Sequence, residues 1–365
     1  MKKTLVKILS VMLVLVLAFS ALSAVSSAAQ DENIKEISII SSNVGGLPIP
    51  SVFSENKKVV PRAEVVLGEM LNDSGIDIVC VQEDFQFHEL LAKGMTNYPY
   101  RTFTSGGIPA GDGLNVFSKY PIYNIDRVAW ADFNGLLTAA NDGLTPKGFL
   151  KCTVDVDGIL IDVYDIHTDA NGSLEDQKAK RKQFRQLSNY INENSYGRPI
   201  LITGDFNCTL HGDIYTHYYE TMIVEQGYKD AWAEVVNDGN YFKGPDAPQL
   251  IREYNEQYGD FWGVWDSVER VAYRDGDGLV ITPYDFEFNY YTDSETDRMA
   301  LTDHAVMSCR LTLDTTDYVR PEMELSDPTD RSLGEKIVTF LKSLKRTFTL
   351  MLDDAVRLLN GLFFK

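Results

Sequence analysis

Positive charge is scarce in this sequence: 365 residues hold 34 Lys and Arg against 53 Asp and Glu, a formal net charge of −19. Proteins that neutralise many phosphates do so with Lys and Arg, so long nucleic acid is a disfavoured partner, with a local basic groove the one exception to that average. Histidine is rarer still, five in all, so a His beside an acid is worth weighing as chemistry. Cysteine is limited to Cys80, Cys152, Cys208 and Cys309. Two disulfides are conceivable outside the cytoplasm, but Cys80, Cys152 and Cys309 sit inside apolar, strand-like runs, and buried thiols are the expectation. No internal repeat is present, which excludes a solenoid or propeller. The apolar run Ile8–Leu22 is 15 residues, short for a membrane span.

That run follows Lys2, Lys3 and Lys7 and precedes the small residues Ser26, Ser27, Ala28 and Ala29. The order is that of a secretory signal peptide over residues 1–29, which predicts a protein that works outside the cytoplasm or on the extracellular surface. Without those three lysines the remainder carries 31 basic and 53 acidic residues, a net charge of −22.

Short β-rich runs recur at Ile37–Ser42, Ile76–Gln82, Leu114–Ser118, Phe149–Val154, Leu160–Ile166, Pro199–Gly204, Trp265–Tyr273 and Ala305–Leu313. Helical patterns fall at 62–73, at 175–194 with Phe184, Leu187 and Ile191 on one face, and at 217–226. The mixture predicts a layered α/β or α+β domain over residues 30–314. Residues 315–331 turn polar and acidic, with Pro321 and Pro328, and read as a linker. In 332–365, Ile337, Leu341, Leu344, Phe348, Met351, Ala355, Leu358 and Leu362 alternate four-and-three spacings, the pattern of an amphipathic helical tail. Six basic and three acidic residues make that tail +3. Such a helix suits contact with an anionic membrane surface; packing on its own body or in a coiled coil is the alternative.

Polar residues at the ends of apolar strands carry the chemistry. Asn43 closes Ile39–Asn43 and Glu83 closes Ile78–Glu83; both offer hard oxygen atoms suited to Mg²⁺ or Ca²⁺. A third strand ends on His167. The run Ile200–Asn207 ends Gly204-Asp205-Phe206-Asn207: the glycine permits a tight backbone, the acid can orient water or bind metal, and the amide can donate to a phosphoryl oxygen. Asp303 and His304 stand together before the last strand, where such a His can take a proton from water if a carboxylate holds its other nitrogen. Asp266 is the candidate for that carboxylate.

The order Asn-Val, Gln-Glu, Thr/His, Gly-Asp-x-Asn, Asp-His resembles the endonuclease/exonuclease/phosphatase superfamily over residues 35–313. The resemblance implies a four-layer sandwich of two mixed β-sheets flanked by helices, with the tail as an added amphipathic helix. It also implies a metal-dependent phosphodiesterase: Mg²⁺, with Mn²⁺ or Ca²⁺ as alternatives, held by Glu83, Asn43 and Asp303; His304 as general base, oriented by Asp266; Asp205 positioning the water or His304; and Asn207 and His167 at the phosphoryl group. The runs Asp142–Phe149, which includes Lys147, and His167–Ala170 are similar to segments of secreted bacterial and neutral sphingomyelinases, which makes Lys147 a substrate contact by resemblance. The sequence departs from the pattern at Thr302, where Ser commonly precedes Asp-His, and around Asp266. Nothing in 208–262 aligns. The implied substrate is a phospholipid diester such as sphingomyelin. A secreted nuclease is the runner-up, for which the basic residues Lys178, Lys180, Arg181, Lys182 and Arg185 are the obvious strip; an inactive surface-binding module anchored by the tail is the third reading.

Overall fold

The computed structural model describes residues 33–47, 60–108, 110–135, 145–170, 173–208, 217–241, 268–289 and 301–327, together with scattered positions between 334 and 356. Two six-stranded mixed sheets stack face to face. Sheet A contains β1 (Ile34–Asn43), β2 (Ile78–Gln82), β3 (Tyr100–Arg101), β4 (Asn115–Ser118), β11 (Val280–Asn289) and β12 (Val306–Asp314), in the spatial order β11-β12-β1-β2-β4-β3. Sheet B contains β5 (Ile122–Ala129), β6 (Gly148–Val156), β7 (Ile159–His167), β8 (Ile200–Asp205), β9 (Lys229–Asp230) and β10 (Glu269–Arg274), in the order β5-β6-β7-β8-β10-β9. The pairs β1–β2 and β7–β8 are parallel, and the other pairs are antiparallel.

Side-chain alternation assigns the layers. In β1, Ile39 faces sheet B while Ile40 faces the helices α1 (Val60–Asp73) and α2 (His88–Gly94); in β2, Ile78 and Cys80 face one way, and Val79 and Val81 the other. Strands buried on both faces are apolar throughout, which is why these runs were visible in the sequence. On the far side of sheet B, α3 (Leu174–Asn194) buries Phe184, Leu187 and Ile191. A capping box fixes its start: Ser173 Oγ accepts from Asp176 N, and Asp176 Oδ2 accepts from Ser173 N. The result is the expected four-layer sandwich of helices, sheet, sheet and helix. The helical pattern at 217–226 becomes a π-helical turn, Tyr219–Val224, and the short α4 follows at Ala231–Val235.

Two edge strands, β5 and β11, had no apolar signature. β5 carries Asn124, Asp126 and Arg127, and β11 carries Pro283 at a register shift; polar residues, bulges and Pro are how edge strands avoid further pairing. All four cysteines are free and buried. Burial pushes the Cys80 thiol well up and that of Cys152 to about 12, so both are inert.

The segment read as a linker is partly a strap on the body. Thr315 N donates to Asn33 O, Tyr318 Oη accepts from Leu160 N at 2.9 Å, Arg320 makes a bidentate pair with Asp155 at 3.0 and 2.8 Å, and Ser326 N donates to Asn124 Oδ1 at 2.8 Å. Short polar residues and two prolines concealed this, because the contacts are hydrogen bonds and an ion pair and leave no apolar period. Beyond it, the described positions between Gly334 and Val356 are helical, with Ile337, Leu341, Phe348 and Met351 exposed. No helix among the described residues is long and apolar enough to cross a membrane. Residues 1–29 lie outside the described residues.

Candidate active site

Strand direction brings the candidates together. β1, β2, β7 and β8 all run toward one end of the sandwich and finish there at Asn43, Gln82, His167 and Asp205, while β10 and β12 start there. At that end Asn43 Nδ2 lies 3.1 Å from Asp205 Oδ2, 3.3 Å from Glu83 Oε1 and 3.4 Å from His304 Nε2. His167 Nε2 is 3.3 Å from Asp205 Oδ2. The five residues come from five sequence regions and both sheets.

Local backbone explains the aim of each group. Gly204 has φ +133, and a Cβ there would meet Ile166 O at 2.1 Å, so glycine is required where β8 closes on β7. Glu83 and Asn207 have φ 58 and 45, the left-handed region that disfavours side chains other than glycine. Such backbone persists when its surroundings over-determine it. Around Glu83 these are Gly46 N donating to Glu83 O and Asp84 N donating to Gly113 O. Directly beneath, Gln82 Nε2 donates to Asp165 Oδ1 at 2.6 Å and Ser41 Oγ donates to Gln82 Oε1, tying sheet A to sheet B. Burial holds the Asp165 carboxyl well above the ordinary range, with only Gln82 and Arg127 opposing. Thr302, the departure from Ser, keeps its hydroxyl in use: Oγ1 donates to Asn43 O at 2.6 Å and accepts from His304 N.

The carboxylate on His304 is Glu269, which sequence reasoning missed. His304 Nδ1 donates to Glu269 Oε1 at 2.5 Å, and Glu269 opens β10 directly opposite Asp205. Asp266 lies outside the described residues. The signal was an acid inside the apolar run Val268-Glu269-Arg270-Val271-Ala272, an expensive position unless the charge is paired. With Nδ1 on Glu269, Nε2 faces Asn43 Nδ2 at 3.4 Å.

The charges are tightly coupled. Burial works against charge on His304, but Glu269 first, then Asp205 and Asp303, outweigh it and push its pKa up to about 10. Asp205 is raised to about 6, chiefly by burial and by Glu269, while His304, Lys147 and the Asn207 N–H oppose the rise. His167 goes well below its ordinary value through burial, Lys147 and His304, so it is neutral. Its Nδ1 is buried with no hydrogen bond among the described residues, and Trp130 Nε1 fixes its carbonyl at 2.7 Å. Asp303 is exposed and acts on His304 through its charge. Lys147 Nζ donates to Thr168 O at 3.3 Å, and its charge reaches His167 and Asp205. Asn207 is held at N by Asp205 Oδ1 (2.8 Å), and its Nδ2 donates to Thr168 O (3.2 Å), leaving one amide hydrogen to give.

A surplus of carboxylates over cations is what a divalent ion needs. Glu83 and the Asn43 amide are hard donors, as Mg²⁺ prefers, although the amide as placed turns its nitrogen to the acids and its oxygen to Gly45 N. Asp205, Glu269 and His304 also offer atoms within 4.8 Å of one another. That second set fits less well, because the Nδ1–Glu269 hydrogen bond already uses two of its three donors.

A family model described as the Endonuclease/Exonuclease/phosphatase family matches residues 40–308. Sphingomyelinases of Mycobacterium bovis and Mycobacterium tuberculosis are 27% identical over 259 residues, 67% of this chain and 46% of theirs; the chain thus spans about half the length of those relatives. Among solved structures, a beta toxin mutant from Staphylococcus aureus with bound magnesium ions superposes with a TM-score of 0.51 at 16% identity, covering 75% of this chain and 99% of its own. D. rerio TDP2 complexed with single strand DNA product gives 0.52 at 16% identity, with 76% and 99% covered. These two likenesses speak to fold alone.

Proposed function

Because the chain belongs to the Endonuclease/Exonuclease/phosphatase family, we propose that it is a secreted, Mg²⁺-dependent phosphodiesterase that cleaves a phospholipid diester such as sphingomyelin in the manner of phospholipase C. The observation that carries the chemistry is His304, fixed at Nδ1 by Glu269 with Nε2 turned toward Asn43, whose amide also lies beside Asp205 and Glu83. Nε2 takes a proton from the attacking water, and Glu269 stabilises the imidazolium that forms. Asp205, between His167 and Asn43, orients the water; Asn207 gives its remaining N–H to a phosphoryl oxygen as charge develops there. Glu83, with Asn43 and the nearby charge of Asp303, would hold the cation, which supplies Lewis-acid stabilisation at the phosphoryl and departing oxygens. Lys147 adds a cation beside the same centre.

The lipid reading draws on the mycobacterial sphingomyelinases and on charge. On α3, Lys182 pairs with Asp132, Arg185 with Glu225 and Lys178 with Glu175, Arg181 donates to His217, and Lys180 is buried. Of the strip that a nuclease would lay along a phosphate backbone, three cations are paired with the protein's own acids and one is buried, which leaves Arg181. The tail, basic and apolar by turns, suits an anionic bilayer as a second contact. Parallel assays on sphingomyelin vesicles and plasmid DNA, each with Mg²⁺ and with EDTA, test the proposal. Release of phosphocholine that EDTA abolishes is expected; cleaved DNA with inert vesicles would transfer the same centre to the nuclease reading.

A further inference from the structure

Three consecutive carbonyls after β8 are each held by a buried side chain from a different part of the fold. Thr168 Oγ1 donates to Phe206 O at 2.5 Å, Lys180 Nζ to Asn207 O at 2.8 Å, and Arg270 Nε to Cys208 O at 2.9 Å. Thr168 follows β7, Lys180 lies on the inner face of α3, and Arg270 is the second residue of β10; their exposures are 0%, 0% and 2%. Burying two cations costs several kcal/mol each unless partners offset it. Arg270 finds Asp230, whose Oδ2 also accepts from Tyr218 Oη, and Lys180 sits in the fields of Asp205, Asp169 and Asp176.

A role in stability alone is a poor account, because apolar side chains of similar volume commonly replace buried ions at no loss. What the cations accomplish locally is specific. Asn207 has φ 45, a conformation an isolated chain would leave, and it is pinned at N by Asp205 and at O by Lys180, with the next carbonyl pinned by Arg270. With those atoms fixed, the base of the side chain is set, and the amide itself is held by its donation to Thr168 O at 3.2 Å, one residue past His167. A hydrogen-bond donor to a developing charge needs such preorganisation, since displacements near 1 Å cost ~10²-fold in rate.

We propose that Lys180 and Arg270 are positioning residues for Asn207, a role that rests on Asn207 donating to the phosphoryl group as set out above. A double-mutant cycle tests it. Turnover and KM on sphingomyelin vesicles with Mg²⁺, and melting temperature, are measured for Lys180→Met, Asn207→Ala and the double variant. Asn207→Ala is expected to lose ~10²–10³-fold in kcat. Lys180→Met should lose roughly tenfold to a hundredfold in kcat with KM within about twofold, and the double variant should be no slower than Asn207→Ala. Losses that multiply, or a fully active Lys180→Met, overturn the inference. A fully active Asn207→Ala instead removes the reading of Asn207 on which it rests. If Lys180→Met does not fold, Arg270→Lys, which keeps the charge but withdraws Nε from Cys208 O, enters the same cycle with the same expected and excluding outcomes.

Discussion

Replacing Glu269 by Gln isolates the step on which the proposed chemistry turns. The substitution preserves shape and a possible hydrogen bond to His304 Nδ1 while removing the charge that favours the imidazolium. The contact is 2.5 Å long, with the Glu269 side chain fully buried and that of His304 at 18% exposure, so solvent screens it little. A hydrogen bond to a charged partner in such a setting is worth ~2–3 kcal/mol, and because the positive charge on His304 develops during proton uptake, most of it falls on the transition state. At ~1.4 kcal/mol per decade, the pH-independent limit of kcat, with His304 deprotonated in both proteins, should fall roughly 30- to 150-fold. The pH profile carries a second signature: with its chief anion gone, His304 moves down from about 10 toward an ordinary imidazole, and the acid limb of kcat/KM shifts to lower pH. Glu269→Asp, which withdraws the carboxylate by one C–C bond, ~1.5 Å, should lie between. Steady-state kinetics from pH 5 to 10 with saturating Mg²⁺, with melting curves as a folding control, makes the measurement. A Gln variant within about threefold of the parent and an unmoved profile would refute the assignment of Glu269 as the partner that makes His304 a base.

His304→Ala should lose ~10²–10⁴-fold in turnover with KM little changed; near-normal turnover excludes it as the base. Glu83→Gln should weaken Mg²⁺ binding, so that calorimetric titration gives a larger Kd and excess Mg²⁺ partly restores rate; an unchanged Kd moves the cation to the Asp205–Glu269–His304 group. For the metal-free protein, a His304 pKa raised to about 10 gives stability that is complete below about 6.5 and fades as pH rises to 10. Asp205, raised to about 6, adds loss in the same direction between about 4 and 6. Melting temperature in EDTA should therefore decline from pH 6.5 to 10, and less so in Glu269→Gln; equal slopes contradict the coupling. Ending the chain after Asp327 should leave the body's melting temperature unchanged, while ending it after Asp314 should cost about 1–3 kcal/mol through the lost Tyr318 and Asn124 contacts. The first truncation is also the one for vesicle co-sedimentation, and equal binding with and without the tail would end its proposed membrane role.

Much of this was legible in the sequence, for physical reasons that also mark what was not. Strands between two layers announce themselves because both faces are apolar, as at Ile39-Ile40 and Ile200-Leu201-Ile202, and their ends locate the cleft. Edge strands such as β5 and β11 carry no such signal. Asn43, Glu83, His167 and Asp205 converge because each is the polar residue at which a core strand stops, and His304 joins them because it stands just before β12 starts. Glu269 escaped because it opens β10 in the middle of the run Trp265–Tyr273, where an acid reads as an exposed position unless its cross-strand neighbour is known. Lys180 belongs to the basic strip of α3 in the sequence, yet Lys180, Phe184, Leu187 and Ile191 stand at four-and-three spacings, so helical periodicity already puts this lysine on the buried face.

The strap from Thr315 to Ser326 settles where the tail leaves the body. Its anchors, Asn33, Leu160, Asp155 and Asn124, stand at the starts of β1, β7 and β5 and the end of β6, the floor of the sandwich, whereas His304 and its partners stand on the roof. A nine-residue strand such as β6 is ~30 Å tall, and the six residues 328–333 reach at most ~20 Å. A tail through 332–365 is thus joined to the body at its floor, the end away from His304. Under the proposed membrane role, that join would keep the body close to the bilayer and leave to the roof itself the task of facing it.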